Sequence, residues 1–131
     1  MVMKGKNYEA KFRRNFLKIY PKNFIYRLPD QVSYLKNSSN PCDFFIVLDK
    51  LYLVEIKSVK TDRYYLSKLR QYDEMLKYKE KAQCVILVYY YTYNTLCWYT
   101  LEELEKRRTV TYQDNIIPTE RNMLFKYLKF N

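Results

Sequence analysis

Two carboxylates and a lysine interrupt the most apolar stretch of the chain, and their types and spacing are suited to chemistry. Asp43 opens this stretch, and Glu55 and Lys57 lie near its end on either side of Ile56. Because strand side chains alternate between faces, Glu55 and Lys57 point to the same side of the predicted sheet. Charges in so apolar a segment are costly unless they are paired or bound to a metal. Such a group is able to bind a hard divalent cation and to orient a water molecule.

A simpler interpretation is a solvent-facing Glu55–Lys57 pair on an edge strand. The upstream Pro41-Cys42-Asp43 segment favours the functional interpretation, because it adds a second carboxylate to the same hairpin. The hairpin consists of two apolar strands joined by a short turn at Asp49-Lys50.

The register of this hairpin decides whether the two carboxylates meet. A two-residue turn pairs Leu48 with Leu51 and leaves Asp43 opposite Ile56, on the other face from Glu55. A three-residue loop pairing Val47 with Leu51 brings Asp43 opposite Glu55, and a β-bulge has a similar effect. We therefore expect one of these two less common registers if the group is functional.

The order of Asp43, a hairpin and Glu55-Ile56-Lys57 resembles the pattern of the PD-(D/E)XK nuclease superfamily. Over about residues 5–105 the chain is similar to one branch, the RecU-type Holliday junction resolvases and their phage relatives. The matching segments are Gly5-Lys6-Asn7-Tyr8-Glu9, Tyr26-Arg27-Leu28-Pro29-Asp30, Gln71 and residues 82–91. The run between Leu28 and Asp43 is short, whereas the larger cellular resolvases carry a long stalk there.

The resemblance implies a role for each site residue. Asp43, Glu55 and the Ile56 carbonyl would hold Mg²⁺, for which Mn²⁺ substitutes, and Glu9 would assist through a second ion or a bound water. Lys57 would orient the attacking water and stabilise charge on the phosphate, and Gln71 would steady the site. The resemblance also implies a homodimer that acts on four-way DNA junctions and leaves a 5′-phosphate.

Composition excludes several other chemistries. The 131 residues predict a single domain over residues 1–131. The single glycine excludes P-loops and glycine-rich dinucleotide sites, and the lack of histidine excludes Ser-His-Asp catalysis. The three cysteines, Cys42, Cys84 and Cys97, lack metal-site spacing and are expected to be small buried residues in a reducing cytoplasm. No apolar run is long enough to span a membrane.

The positive charge is concentrated near the N-terminus, as expected of a protein that binds a polyanion. Residues 4–27 hold eight basic residues against Glu9, a net charge of +7 in a chain with a total of +10. A solubility face would not require this asymmetry. The predicted DNA-binding residues are Lys6, Lys11, Arg13, Arg14, Lys18 and Arg27, together with Tyr34 and Lys36 in the polar loop of residues 29–40. Tyr64 and Tyr65 are candidates for stacking on unpaired bases.

Periodicity predicts an α/β fold: a central mixed β-sheet flanked by helices, restriction-endonuclease-like. Residues 6–20 form a helix with Glu9, Phe12 and Phe16 on one face, ended by Pro21. From the residues alone, Glu9 is equally a site residue and a first-turn carboxylate favoured by the helix dipole. The other predicted elements are a strand at 23–28, a helix at about 66–79 with Tyr65, Leu69, Tyr72 and Leu76 on its apolar face, strands at 83–93 and 96–100, a helix from the Thr100–Glu103 capping box to Lys106, a strand at 110–112 and a weak strand at 125–130.

Three functions are compatible with these features. The first is a Mg²⁺-dependent, junction-selective endodeoxyribonuclease of DNA recombination and repair, and the second is a nuclease of the same fold that cuts linear or nicked duplex. The third is a DNA-binding module that does not cut, against which the intact set of Asp43, Glu55 and Lys57 argues. A divalent-metal titration with branched and linear DNA separates the three.

Overall fold

Seven strands and three α-helices follow one another in the part of the chain that the structure describes. The structure is a computed structural model that describes residues 5–22, 24–29 and 40–115, with only the backbone for 5–7 and 115. The helices are α1 Gly5–Ile19, α2 Tyr72–Leu76 and α3 Leu101–Arg107, with 3₁₀ helices at Leu66–Lys68, Tyr91–Tyr93 and Tyr112–Asn115. The strands are β1 Phe24–Arg27, β2 Phe44–Val47, β3 Leu51–Val59, β4 Arg63–Tyr65, β5 Gln83–Tyr90, β6 Thr95–Thr100 and β7 Thr109–Thr111.

A five-stranded sheet in the order β1-β2-β3-β5-β6 carries the fold. Strands β3 and β5 are parallel, and the other neighbours in this sheet are antiparallel. The short strands β4 and β7 form a separate antiparallel pair. The predicted central mixed sheet is therefore confirmed, and the crossover from β3 to β5 carries the 3₁₀ helix at Leu66–Lys68 and α2.

Apolar clusters cover both faces of this sheet. On one face Phe12 and Phe16 of α1 pack against Phe44 and neighbouring strand residues. On the other face Leu53 packs with residues of α2, α3 and the β4–β7 pair. Strand β5 is buried on both sides, as predicted from its continuous apolar run.

The hairpin between β2 and β3 adopts the three-residue loop. Val47 pairs with Leu51, and the register continues to Phe44 opposite Val54. The register ends one residue before Asp43 and Glu55, so the hairpin has the three-residue loop that the functional interpretation required. The Leu48 N–H donates to the Lys50 carbonyl at 3.1 Å and closes the loop. Burial of Phe44 and Ile46 on one face selects this register, because a one-residue slip would expose them.

The predicted long helix at residues 66–79 is wrong. The segment is a 3₁₀ turn, a break at Leu69 with extended backbone, and the five-residue α2. Pairing of β4 with β7 holds Tyr65 in a strand, and the buried residues are Leu66, Leu69 and Met75, whereas Leu76 is exposed. The tertiary strand pairing thus outcompetes the local helical periodicity. Strand β4 itself was not predicted.

Most other elements lie within one to three residues of their predicted bounds. The capping box at Thr100 and Glu103 is formed in both directions, and the described cysteines are buried and reduced. No helix in the described ranges is long and apolar enough to cross a membrane. The predictions for Tyr34, Lys36, most of the 29–40 loop, residues 125–130 and the Lys6 side chain lie outside what the structure describes.

Candidate active site

Asp43 lies where β2 ends and β3 continues. Its Oδ2 accepts a hydrogen bond from the Ile56 N–H at 2.8 Å. The carboxylate oxygen thus takes the place of the backbone carbonyl that a longer β2 would present to β3. The Asp43 N–H donates to the Val54 carbonyl at 3.0 Å, although Val54 is already the register partner of Phe44. Two successive residues thus face one residue of β3, as in a β-bulge. The bulge keeps the Asp43 carboxylate at the end of β2, close to both Glu55 and α1.

Glu55 projects from the middle of β3 into the interior and is only 2% exposed. Its Oε2 forms an ion pair with Lys57 Nζ at 2.9 Å. Lys57 Nζ also donates to Gln71 Oε1 at 3.2 Å. Gln71 was predicted to lie within a helix and is instead the residue that precedes α2. The break at Leu69 thus places Gln71 against Lys57, two residues beyond Glu55 on the same face of β3.

Glu9 reaches the cluster from the first turns of α1. Its side chain is largely buried and hydrogen-bonds to Asp43. Arg27 at the end of β1 donates to Glu9 Oε2 from Nη2 at 2.8 Å and from Nε at 3.2 Å. Arg27 Nη1 donates to the Leu28 carbonyl at 2.8 Å. Arg27 therefore clamps Glu9, and the predicted contact of Arg27 with DNA stays a prediction.

The predicted catalytic residues form one continuous chain of contacts, from Glu9 through Asp43, Glu55 and Lys57 to Gln71. Burial, the Glu55 charge and the hydrogen bond to Glu9 raise the pKa of Asp43 from its ordinary 3.8 to about 9. Burial also raises the pKa of Glu55, and the Lys57 ammonium opposes this rise. Several carboxylates crowded in a buried site disfavour full ionisation unless a cation joins them.

The raised pKa of Asp43 predicts how stability depends on pH in metal-free buffer. The folded protein holds a proton on Asp43 that the unfolded chain has released, so the contribution of Asp43 to stability is fully present below the unfolded pKa near 3.8 and is lost as the pH rises towards 9. Between pH 6 and 9 we expect the melting temperature of the chelator-treated protein to fall, and Asp43→Asn to flatten this fall. Equal slopes for both proteins would contradict the raised pKa of Asp43.

The cluster has features that suit a divalent cation. Glu55 Oε1 is buried and receives no hydrogen bond from a backbone or basic group of the described residues, and the carboxyl group of Asp43 is the other hydrogen-bonding neighbour of this side chain. An unsatisfied buried carboxylate oxygen is costly, and a cation ligand would satisfy it. Within the described ranges, no three His, Cys, Asp or Glu side chains form a metal-holding group on their own. The family resemblance implies that a Mg²⁺ ion would take Asp43, Glu55 and the Ile56 carbonyl, with the remaining ligands from water or substrate.

Most of the predicted DNA-binding residues that the structure describes lie on α1. Arg13, Arg14 and Lys18 are exposed, and Lys11 is half-buried. Tyr64 is 3% exposed and belongs to the core, so it is not available to stack on bases, whereas the other candidate for stacking, Tyr65, is 42% exposed.

Sequence reasoning missed two residues of the cluster. The Tyr64 hydroxyl is buried without a hydrogen-bond partner among the described residues, and burial together with the Glu55 charge raises its pKa. The clamp by Arg27 was also missed. The signal for it was strand alternation, which places Arg27 on the inward face with Ile25.

Comparison with known proteins identifies the fold. No protein-family model and no curated protein matches the chain. Among solved structures, the chain is similar to Archaeoglobus fulgidus Hjc, a Holliday junction resolvase from an archaeal hyperthermophile. The TM-score is 0.52 at 16% sequence identity, and the match covers 78% of this chain and 87% of Hjc. The chain thus has a restriction-endonuclease-like α/β fold, in which the carboxylate–lysine cluster lies where β3 extends beyond β2.

Proposed function

We propose that the chain is a divalent-metal-dependent endodeoxyribonuclease that cuts branched DNA, with four-way junctions as its substrate in recombination and repair. The observation that carries this proposal is the buried Glu55 carboxylate, which pairs with Lys57 through one oxygen and lies against the Asp43 carboxyl group without a basic partner for its other oxygen in the described structure. The similarity of the fold to an archaeal Holliday junction resolvase supports it. The order of Asp43, the hairpin and Glu55-Ile56-Lys57 also resembles the residue pattern of RecU-type resolvases.

Asp43, Glu55 and the Ile56 carbonyl would hold the ion, with Glu9 assisting. The Ile56 N–H points towards Asp43, the residue just before β2 begins. In a β-strand the N–H and C=O of one residue point to the same side. The Ile56 carbonyl therefore faces the same gap as Asp43. When bound, Mg²⁺ supplies charge stabilisation at the phosphate and lowers the pKa of a bound water. Mn²⁺ is expected to substitute, because the ligands are all oxygens.

Lys57 is the residue that would act on the reacting groups. An ammonium carries three donors, and Glu55 and Gln71 accept two of them. The side chain is 22% exposed, so the third donor is accessible to a water or a phosphate oxygen. Gln71 and Glu55 fix the direction of that donor. Lys57 would thus orient the attacking water and stabilise negative charge on the phosphate, with a 5′-phosphate as the product.

The exposed basic residues of α1 would bind the DNA backbone. Phosphate contacts position a duplex and carry no sequence information, so selectivity for a branch would come from geometry. A homodimer provides this geometry, because two sites at a fixed separation fit strands that diverge from one centre. Tyr34 and Lys36, in the segment before Asp43 that the sequence predicts to be a loop, would probe the exposed bases and phosphates at that centre.

A titration with Mg²⁺ tests the function on two labelled substrates, a four-way junction and a linear duplex of the same sequence. We expect cleavage of the junction only when the metal is present, in paired symmetric incisions, with excess linear duplex competing poorly. Equal cleavage of both substrates would replace the resolvase function by a general nuclease of the same fold. Binding without cleavage at any Mg²⁺ or Mn²⁺ concentration would favour a non-catalytic DNA-binding module.

A further inference from the structure

A cavity of about 440 Å³ opens beside the candidate site, between the β4–β7 pair and the start of α2. Its polar wall is formed by Tyr65, Ser67, Arg70, Asp73, Arg108 and Thr109. Backbone hydrogen bonds fix one side of this wall, because Tyr65 and Thr109 are register partners and the Leu66 N–H donates to the Arg108 carbonyl at 2.9 Å. The volume lies within the range of ligand-binding pockets.

The two arginines of the wall have no salt-bridge partner among the residues that the structure describes. Other cations nearby are paired, such as Lys79 with Glu105 and Arg107 with Asp114. The described wall holds two arginines and Asp73, a net charge of +1, and the neighbouring Glu105, which interacts with Arg108, is balanced by its ion pair with Lys79. A net charge of +1 matches one phosphodiester better than a multiply charged anion.

Arg108 occupies a backbone conformation that usually requires glycine or asparagine. It ends α3 with φ 68°, a region that costs a residue with a Cβ atom free energy. Arg108 is one of the residues that line the cavity. Strained backbone conformations of this kind are concentrated at functional sites, so an arginine at this position indicates a role for its side chain.

The cavity is connected to the candidate active site through a single residue. Gln71 accepts a hydrogen bond from Lys57, while its neighbours Arg70 and Tyr72 line the cavity. The acceptor of the Lys57 hydrogen bond and the first arginine of the cavity wall are thus consecutive residues of one segment. The half-exposed Tyr65 ring offers a flat surface for a base or sugar.

We propose that this cavity binds one nucleotide of the DNA substrate outside the scissile position, with Arg70 and Arg108 holding its phosphodiester and Tyr65 contacting its base. The inference rests on the proposed function, because it requires the chain to bind DNA. The cavity adjoins the sheet face opposite the one that α1 covers. The substrate would accordingly contact the protein on both sides of the carboxylate cluster.

Salt dependence of DNA binding tests the cavity without relying on cleavage. Junction binding by the full chain is measured in chelator over a range of salt concentrations, for the unaltered protein and for Arg70→Ala with Arg108→Gly. Glycine adopts positive φ without steric cost, so this change removes the charge and retains the backbone. The matched control is Lys81→Ala, an exposed cation at the far end of β5.

We expect the double variant to bind roughly tenfold more weakly or worse, with its log–log salt slope reduced by about one because one phosphate contact is lost, and the control to change neither. Arg70→Ala alone should weaken binding and lower the slope in the same direction by a smaller amount, which keeps the test valid if the double variant is unstable. An unchanged slope with intact DNA binding would overturn the cavity and spare the proposed function. Absence of DNA binding by the unaltered chain would overturn both.

A second copy of this chain is the competing occupant of the cavity. Sedimentation of the same variants decides between the two occupants. Altered self-association with an unchanged salt slope would assign the cavity to a protein interface and overturn the inference. Unchanged self-association with a reduced slope supports binding of DNA.

Discussion

Replacing Asp43 or Glu55 with alanine is expected to lower the rate of DNA cleavage by a factor on the order of 10³ or more. Each substitution removes a carboxylate from the group proposed to hold the metal. Binding of junction DNA in chelator should be retained, because the exposed basic residues of α1 lie apart from the carboxylates. Single-turnover cleavage at saturating enzyme, with binding measured separately, checks this prediction.

Two controls make this result specific to the cluster. Glu80→Ala removes an exposed carboxylate outside the cluster and should leave cleavage unchanged. In chelator, Glu55→Ala should not lower the melting temperature, because burial raises the pKa of Glu55 and its charge makes Asp43 harder to ionise. A large loss of stability would assign Glu55 a structural role instead. Full activity of either alanine variant with Mg²⁺ would contradict the proposed metal site.

Substitution of Lys57 by methionine is expected to slow cleavage by about 10²–10³-fold, the usual effect of removing one donor to a developing negative charge. Methionine keeps much of the volume of the side chain and removes its ammonium. The same change deprives Glu55 of its ion pair at 2.9 Å, so part of the loss could arise through the metal ligand. The dependence of the rate on Mg²⁺ separates these two routes.

If Lys57 acts on the water or the phosphate, saturating Mg²⁺ should not restore the rate of Lys57→Met. If Lys57 only supports Glu55, high Mg²⁺ should recover most of the activity, and the catalytic role would fail. Gln71→Ala provides a milder change for comparison. It retains the Lys57 ammonium and removes only the Gln71 oxygen that accepts its hydrogen bond at 3.2 Å. We expect a loss of activity smaller than that of Lys57→Met.

Much of the fold and the chemical content of the site could be predicted from the sequence because they depend on local patterns. Strand alternation places Glu55 and Lys57 on one face whatever packs around them. The continuous apolar run of β5 indicates burial on both sides, and the Thr100–Glu103 capping box marks the start of α3. The family resemblance singled out Glu9 and Gln71, which the residues alone left ambiguous.

Tertiary structure decided how these groups meet. Sequence left two registers open for the β2–β3 hairpin, and burial of Phe44 and Ile46 selects the one that places Asp43 beside Glu55. Pairing of β4 with β7 broke the expected long helix, and that break places Gln71 against Lys57 and Arg70 in the cavity wall. The free energy of contacts between distant segments cannot be predicted from local sequence patterns. Strand register and the break in the helix are therefore decided by packing.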